Sequence, residues 1–268
     1  MKPMKIAIAG KGGVGKTFVS ATLSRLLARD GYNVLAVDAD PNLNLAYSLG
    51  IGYDIANQIV PVSENEELVK EKTGVSSEEA LSNIFNMNPR VSDIVDRFGV
   101  NAPDNVKLLV MGTVKGGGTG CMCGANAMLR VLIQHMLIQR GEILIMDMVA
   151  GLEHLGRGTA RRMDAMLVVI EPRMKSVDTV KRILKMAEEI EVETIYAVGN
   201  KVMRPKDEAF IYEKMKELGV EVISIIPYDQ SVADADMEGV PTLDYNPDSS
   251  AVKAVKELEK YLLERFKP

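Results

Sequence analysis

The chain has 268 residues and a formal net charge of −5. Its contents of 47% hydrophobic and 26% charged residues are close to globular averages and exclude disordered, collagen-like and low-complexity classes. The acidic balance argues against a protein that coats nucleic acid non-specifically. Because no apolar run reaches 18 residues and no secretory signal is visible, we expect a cytoplasmic α/β protein with a single domain over 1–268.

Short apolar runs alternate with amphipathic segments along the chain. The apolar runs are continuous, as in strands buried on both faces of a parallel sheet, and they predict strands at 4–9, 33–37, 106–111, 142–147, 165–170, 193–199 and 220–226. Helices are predicted near 16–30, 125–140, 176–190, 206–218 and 249–266, with helices and loops inserted over 51–105. This order predicts a doubly wound sheet with right-handed crossovers, in which ligands bind at the carboxyl ends of the strands.

A phosphate-binding motif follows the first predicted strand. The segment GKGGVGKT at 10–17 matches G-x-x-x-x-G-K-[ST], in which backbone N–H groups and the following helix N-terminus bind phosphate. Lys16 is expected to contact the β- and γ-phosphates, and Thr17 to hold Mg²⁺. The other positions predicted to contact the nucleotide here are Gly12, Gly13, Val14, Gly15 and Phe18.

The same glycines admit a second interpretation. Residues 10–15 also spell G-x-G-x-x-G, and Asp38 ends the second strand where the ribose-binding acid of a dinucleotide site would lie. A dinucleotide site leaves Lys16 and Thr17 without a role. We therefore favour a nucleoside triphosphate, with ATP and ADP as the nucleotides.

A second lysine, Lys11, follows the first glycine of the motif, and it cannot easily reach phosphates that Lys16 already serves. One interpretation is a solvated surface lysine. The segment KGGVGKT, however, resembles the deviant Walker A motif of the MinD/ParA/nitrogenase-iron-protein class of dimeric P-loop ATPases. That resemblance implies a homodimer in which Lys11 crosses the two-fold interface to the partner's nucleotide.

Two further segments carry acids at strand ends. Asp38 and Asp40 lie in VDADPNLNL, where Asp38 is placed to hold a water of the Mg²⁺ shell, and the resemblance implies that Asp40 orients the attacking water. The fourth predicted strand ends at Asp147 and continues to Gly151, a D-x-x-x-G match. A carboxylate there supplies an outer contact to Mg²⁺, and the glycine lets the loop follow the γ-phosphate.

The last two predicted strands end in candidate base-binding residues. Asn200 and Lys201 end the sixth strand, where an amide can pair with a purine edge, although Asn-Lys is also common in turns. Pro227, Tyr228 and Asp229 end the seventh strand. The resemblance implies that this segment wraps the adenine.

Both cysteines, Cys121 and Cys123, lie in the glycine-rich stretch GGGTGCMCGANAML at 116–129. A C-x-C pair is too close for an easy unstrained disulfide, and thiols just before a helix N-terminus are good soft ligands. Since a closed site needs about four donors, a homodimer with this loop on its two-fold axis would supply them. The alternative is a pair of small buried apolar side chains.

The C-x-C pair narrows the resemblance. Together with DMVAGLEHLGRGTARRMD at 147–164 and Glu171-Pro172 it resembles the CooC-type ATPases, which insert nickel into carbon monoxide dehydrogenase. The likeness covers nearly the whole chain. It implies that the cysteines bind Ni²⁺, or Zn²⁺ in vitro, and that carbon monoxide dehydrogenase is the client. Val149 departs from it, because close relatives would carry a polar or acidic residue there.

Two other functions stay open, a MinD/ParA-like switch for positioning or partition and an iron–sulfur cluster carrier. The positioning switch would need DNA or a membrane. The apolar stripe of the last helix is accompanied by five basic and three acidic residues over 253–267, too balanced for a strong anionic-lipid anchor. We expect that helix to dock on the protein's own core, with no nucleic acid and no stable membrane binding.

Overall fold

Eight strands and nine α-helices lie in the part of the chain that the computed structural model describes, namely residues 3–40, 44–64, 92–112, 142–148, 163–190 and 192–268. The strands are β1 (Met4–Gly10), β2 (Val34–Ala39), β3 (Val100–Asn101), β4 (Lys107–Val110), β5 (Ile143–Met148), β6 (Ala165–Ile170), β7 (Ile195–Val202) and β8 (Glu221–Pro227). The helices are α1 (Lys16–Arg29), α2 (Asn44–Leu49), α3 (Tyr53–Ala56), α4 (Ser92–Phe98), α5 (Met174–Glu189), α6 (Pro205–Glu217), α7 (Gln230–Glu238), α8 (Thr242–Tyr245) and α9 (Ser250–Phe266).

The strands form one sheet in the order β3-β4-β2-β5-β1-β6-β7-β8. All neighbours pair in parallel except β3, which runs antiparallel to β4 at one edge. The predicted α/β fold with a mostly parallel sheet is therefore confirmed. All seven predicted strands are present, and β1 lies near the centre between β5 and β6.

Alternate strand residues pack into two hydrophobic clusters, one on each face of the sheet. The cluster on one face contains Ala7 of β1, Ile183 of α5 and Ile211 of α6. On the other face Ile8 packs with Leu23 of α1, and α2 and α9 cover the same side. Burial of both faces is the reason that the strand sequences are apolar without alternation.

The C-terminal helix α9 docks on the core, as its sequence predicts. Val255, Leu258 and Leu262 are fully buried, and α9 packs against β8 and α1. No helix in the described ranges is long and apolar enough to cross a bilayer.

Several elements differ from the sequence prediction. The helices α2, α7 and α8 were not predicted, and α3, α4, β3 and two 3₁₀ turns lie within 51–105, where only helices and loops were expected. The predicted helix at 125–140 lies outside the described residues. In α7 the sequence QSVADADME has Ala235 as its buried residue, so it carries no apolar stripe that sequence reasoning could detect.

Candidate functional site

The loop between β1 and α1, residues 11–15, forms the floor of the site and is called the phosphate loop below. Gly13 and Gly15 have φ angles of 78° and 98°, a left-handed conformation that favours glycine. Gly15 is also the N-cap of α1 and provides no side-chain cap. The first N–H groups of the helix are therefore left for an anion to bind.

Lys16 begins α1 and is 7% exposed. Its Nζ lies 3.5 Å from the backbone oxygen of Lys11, so the ammonium bends back over the phosphate loop. Lys11 itself is partly exposed and does not line the cavity of its own chain. The two lysines thus occupy different environments, and their predicted roles stay predictions.

The end of β7 contacts the phosphate loop directly. Asn200 Nδ2 donates to the Val14 carbonyl at 2.7 Å, and Lys201 Nζ donates to the Gly13 carbonyl at 2.7 Å. A Cβ on Gly15 would overlap the Asn200 amide nitrogen, so only glycine permits this approach. The amide of Asn200 is therefore used on the loop in this conformation, and its predicted contact with a purine stays a prediction.

Two buried carboxylates lie side by side below the loop. Asp38 of β2 is in register with Asp147 of β5, and they are 0% and 1% exposed. The oxygens of Asp38 accept from the backbone N–H groups of Asp40 at 2.9 Å and Leu45 at 3.2 Å. Among the described residues, Asp147 Oδ1 has no hydrogen-bond partner.

Burial is the main cause of the altered titration of this pair. It raises the pKa of Asp38 to about 7, against the hydrogen bonds from the backbone of Asp40 and Leu45. It raises the pKa of Asp147 to about 6, against the hydroxyl of Thr17 and the ammonium of Lys16. Buried carboxylates with an unpartnered oxygen beside a hydroxyl are a donor set that fits a hard cation such as Mg²⁺.

A cavity of about 1160 Å³ opens above these residues. Its walls come from the phosphate loop and α1, from α2 and α3, from the ends of β7 and β8, and from α7 and α8. This volume is ample for a nucleoside triphosphate, since ligand cavities commonly measure about 300–1,000 Å³.

The fold brings most of the predicted site residues together. Those that line the cavity are Gly12, Gly13, Gly15, Lys16, Thr17, Phe18, Asp40, Asn200, Lys201, Pro227, Tyr228 and Asp229. Val14, Asp38 and Asp147 are buried next to it. The predicted metal ligands Cys121 and Cys123 lie outside the described residues, as do Val149 and Gly151.

Asp229 has a structural role that sequence reasoning missed. Its Oδ1 accepts from the backbone N–H of Ser231 at 2.9 Å and caps α7. Its Oδ2 accepts from the backbone N–H and the hydroxyl of Ser250 at 2.8 and 2.7 Å, at the start of α9. These bonds, led by the Ser250 hydroxyl, lower the pKa of Asp229 to about 2. An aspartate just before a helix is the available sequence signal for such a cap.

We expect Asp229→Ala to lower the free energy of unfolding by about 2 kcal/mol at pH 7, because a lost N-cap costs about 1 kcal/mol and two helices are affected. The pKa of Asp229 is depressed in the folded state, so its contribution is present above the unfolded pKa of about 3.9 and lost as the pH falls towards 2. Urea unfolding at pH 7 and pH 3 measures the difference between wild type and variant.

The matched control is Asp248→Ala, which removes an aspartate whose side chain is 87% exposed, from the loop that precedes α9. It should change stability by less than about 0.5 kcal/mol at either pH. A loss for Asp229→Ala that is equally large at both pH values would contradict the double-cap assignment.

Comparison with known proteins places this geometry among nucleotide-binding proteins. A family model described as the CobQ/CobB/MinD/ParA nucleotide binding domain matches residues 5–243. An uncharacterized ATP-binding protein of Methanocaldococcus jannaschii is 42% identical over 261 residues, covering 97% of this chain and 98% of the relative. The carbon monoxide dehydrogenase accessory protein CooC of Rhodospirillum rubrum is 38% identical over 265 residues, covering 99% and 98%.

Solved structures share the fold. A chain of the MinC:MinD cell division protein complex of Aquifex aeolicus superposes with a TM-score of 0.70 at 19% identity, over 98% of this chain and 96% of that one. MinD of Pyrococcus horikoshii in complex with Mg-ADP superposes with a TM-score of 0.63 at 22% identity, over 97% and 96%. At these identities the likeness supports the arrangement of sheet and helices alone.

Proposed function

From the premise that this chain belongs to the CobQ/CobB/MinD/ParA nucleotide-binding family of P-loop ATPases, we propose that it is a metallochaperone ATPase that supports nickel insertion into carbon monoxide dehydrogenase. The observation that carries the proposal is the 38% identity to the accessory protein CooC over nearly the full length of both chains. The C-x-C pair at 121–123, whose residue types suit a soft metal ion, adds to it.

ATP hydrolysis in this proposal uses the residues around the phosphate loop. Lys16 binds the β- and γ-phosphates, and Thr17 and Asp38 would hold Mg²⁺, with Asp147 beside them as an outer contact. Mg²⁺, when bound, neutralises charge on the phosphate oxygens. Asp40 orients a water whose oxygen bonds to the γ-phosphorus, while the bond from that phosphorus to the bridging oxygen of ADP breaks. The adenine lies against Pro227 and Tyr228.

Nucleotide and metal are coupled through a homodimer. Lys11 of each subunit reaches the partner's γ-phosphate, so ATP favours the closed dimer and hydrolysis removes that contact. Cys121 and Cys123 of both subunits together supply four thiolates for one ion. An ion that binds only the dimer stabilises it by mass action, so metal uptake and dimerisation are linked.

Metal-free protein should shift from monomer towards dimer when Ni²⁺ is added without ATP, with one ion bound per two chains. Cys121→Ser and Cys123→Ser should each abolish the shift, as measured by light scattering together with metal analysis. Met122→Leu is the matched control, because it changes the residue between the two thiols, keeps both and should leave uptake unchanged.

Two results would overturn the proposal. One ion per chain with no change in mass would exclude a shared site, and full uptake by either serine variant would exclude the thiolates as ligands. ATP hydrolysis without cysteine-dependent metal uptake would favour a positioning or partition switch instead.

A further inference from the structure

The contacts between β7 and the phosphate loop carry an inference about what Asn200 and Lys201 do. We propose that these two residues are positioning residues that preset the phosphate loop for a triphosphate, independently of the base that the nucleotide carries. The proposal rests on the nucleotide-binding part of the proposed function. It assigns to the Asn-Lys pair a role in phosphate binding, whereas the sequence predicts a role in base binding.

Each end of the Asn200 amide makes one hydrogen bond within the protein. Its Nδ2 donates to the Val14 carbonyl at 2.7 Å and its Oδ1 accepts from the backbone N–H of Lys201 at 2.9 Å. The residue is 5% exposed, and a hydrogen bond at such a site is stronger than one in water. These contacts fix the Val14 carbonyl towards β7.

Fixing that carbonyl also fixes a donor. In a trans peptide unit the carbonyl and the N–H of the next residue point in opposite directions. With the Val14 carbonyl held on β7, the N–H of Gly15 is turned away from β7, and Gly15 lines the cavity. Asn200 thereby orients one of the backbone donors on which phosphate binding depends.

Lys201 holds the preceding peptide unit. Its Nζ donates to the Gly13 carbonyl at 2.7 Å, while the Val14 N–H of the same unit lies 3.4 Å from the Lys11 carbonyl. The unit is therefore held from both sides. The two side chains of β7 together fix consecutive peptide units of the loop.

The backbone of Lys201 is strained in a way that serves these contacts. Its φ angle is 58°, a left-handed conformation that is unfavourable for a non-glycine residue. Such strain persists where surrounding contacts determine it and occurs preferentially at functional sites. Here the turn brings the side chains of two consecutive residues onto one loop.

A ligand without a base separates positioning from base recognition. Binding of Mg²⁺-tripolyphosphate, ATP and GTP to the full chain is measured by titration calorimetry. Asn200→Ala should weaken the binding of tripolyphosphate and of ATP by the same factor, about tenfold, as expected for one lost hydrogen bond at a buried site. The ratio of ATP to GTP affinity should stay at the wild-type value.

Lys201 supplies a second variant, since its side chain is exposed and its removal spares the core. Lys201→Met should weaken the binding of tripolyphosphate about threefold to tenfold. Lys201→Arg should keep most of the wild-type affinity because it keeps a charged donor. Lys206→Met, which removes an exposed lysine at the start of α6, is the matched control for lost charge and should bind as wild type does.

The outcomes are distinct. If Asn200→Ala weakens the binding of ATP but leaves the binding of tripolyphosphate unchanged, the amide acts on the base and the proposal is overturned. If both Asn200→Ala and Lys201→Met bind tripolyphosphate as wild type does, the proposal also fails. If the wild-type protein binds neither tripolyphosphate nor ATP, it is the nucleotide-binding function that fails.

Discussion

Lys16→Ala should lower ATP turnover by at least about a hundredfold, the scale seen when one preorganised charge or donor is removed from a transition state. The side chain is 7% exposed and lies over the phosphate loop, and its ammonium also lowers the pKa of Asp147. The variant loses a cation that the triphosphate and the buried carboxylate both need. Steady-state release of phosphate measures the effect.

Lys11→Ala is the contrasting variant. Lys11 is partly exposed and does not line the cavity of its own chain, so its loss should leave ATP affinity of the monomer near the wild-type value. Dimerisation with ATP, followed by light scattering, should disappear. Normal dimerisation of this variant would contradict the cross-subunit role of Lys11, and normal turnover by Lys16→Ala would contradict the role of Lys16.

Arg25→Met should be strongly destabilising, with a loss of about 3 kcal/mol in the free energy of unfolding, the lower end for breaking a buried ion pair. The Arg25 side chain is 3% exposed, its Nε lies 2.6 Å from Asp104, and its other nitrogens lie 2.5 and 2.9 Å from the oxygens of Asp244. It thus joins α1 to the turn at Pro103–Asn105 and to α8. Asp104 and Asp244 are 22% and 38% exposed, so water partly compensates their carboxylates for the loss of the Arg25 guanidinium.

Arg29→Met provides the control for that measurement. Arg29 contacts the same two aspartates at 3.0 and 3.3 Å, but its side chain is 39% exposed. Exposed ion pairs contribute about 0–1 kcal/mol, so urea unfolding should show a much smaller loss. Equal losses in the two variants would mean that burial of Arg25 has no energetic consequence.

The sheet could be predicted because each inner strand carries its own continuous apolar run. The buried run 165–170 is apolar throughout, and its bounds match the structure, whereas the bounds of the other predicted strands differ by one to three residues. The two-residue strand β3 carries no comparable signal, since Val100 is only partly buried and Asn101 is exposed. It forms because β4 offers it an edge, which is a tertiary cause.

The candidate site was predictable to the extent that it follows a local motif. The phosphate loop and the acids at the ends of β2 and β5 follow from spacing along the chain. The partners of Arg25, however, are 79 and 219 residues away, and a polar residue inside an amphipathic helix gives no sign of them. The contact of Asn200 with Val14 spans 186 residues, so a single sequence suggests only the more familiar role.

The two outer strands of the sheet bear on how copies of the chain can associate. One edge ends in β3, which is two residues long and antiparallel, and at the other edge β8 runs from Glu221 to Pro227 with irregular register against β7. Short strands, bulges, charges and prolines at an edge disfavour addition of a further strand. Within the described ranges, neither edge therefore favours open-ended growth into fibres by strand addition. The homodimer proposed above would instead form through the surface that carries the phosphate loop, where bound nucleotide could control it.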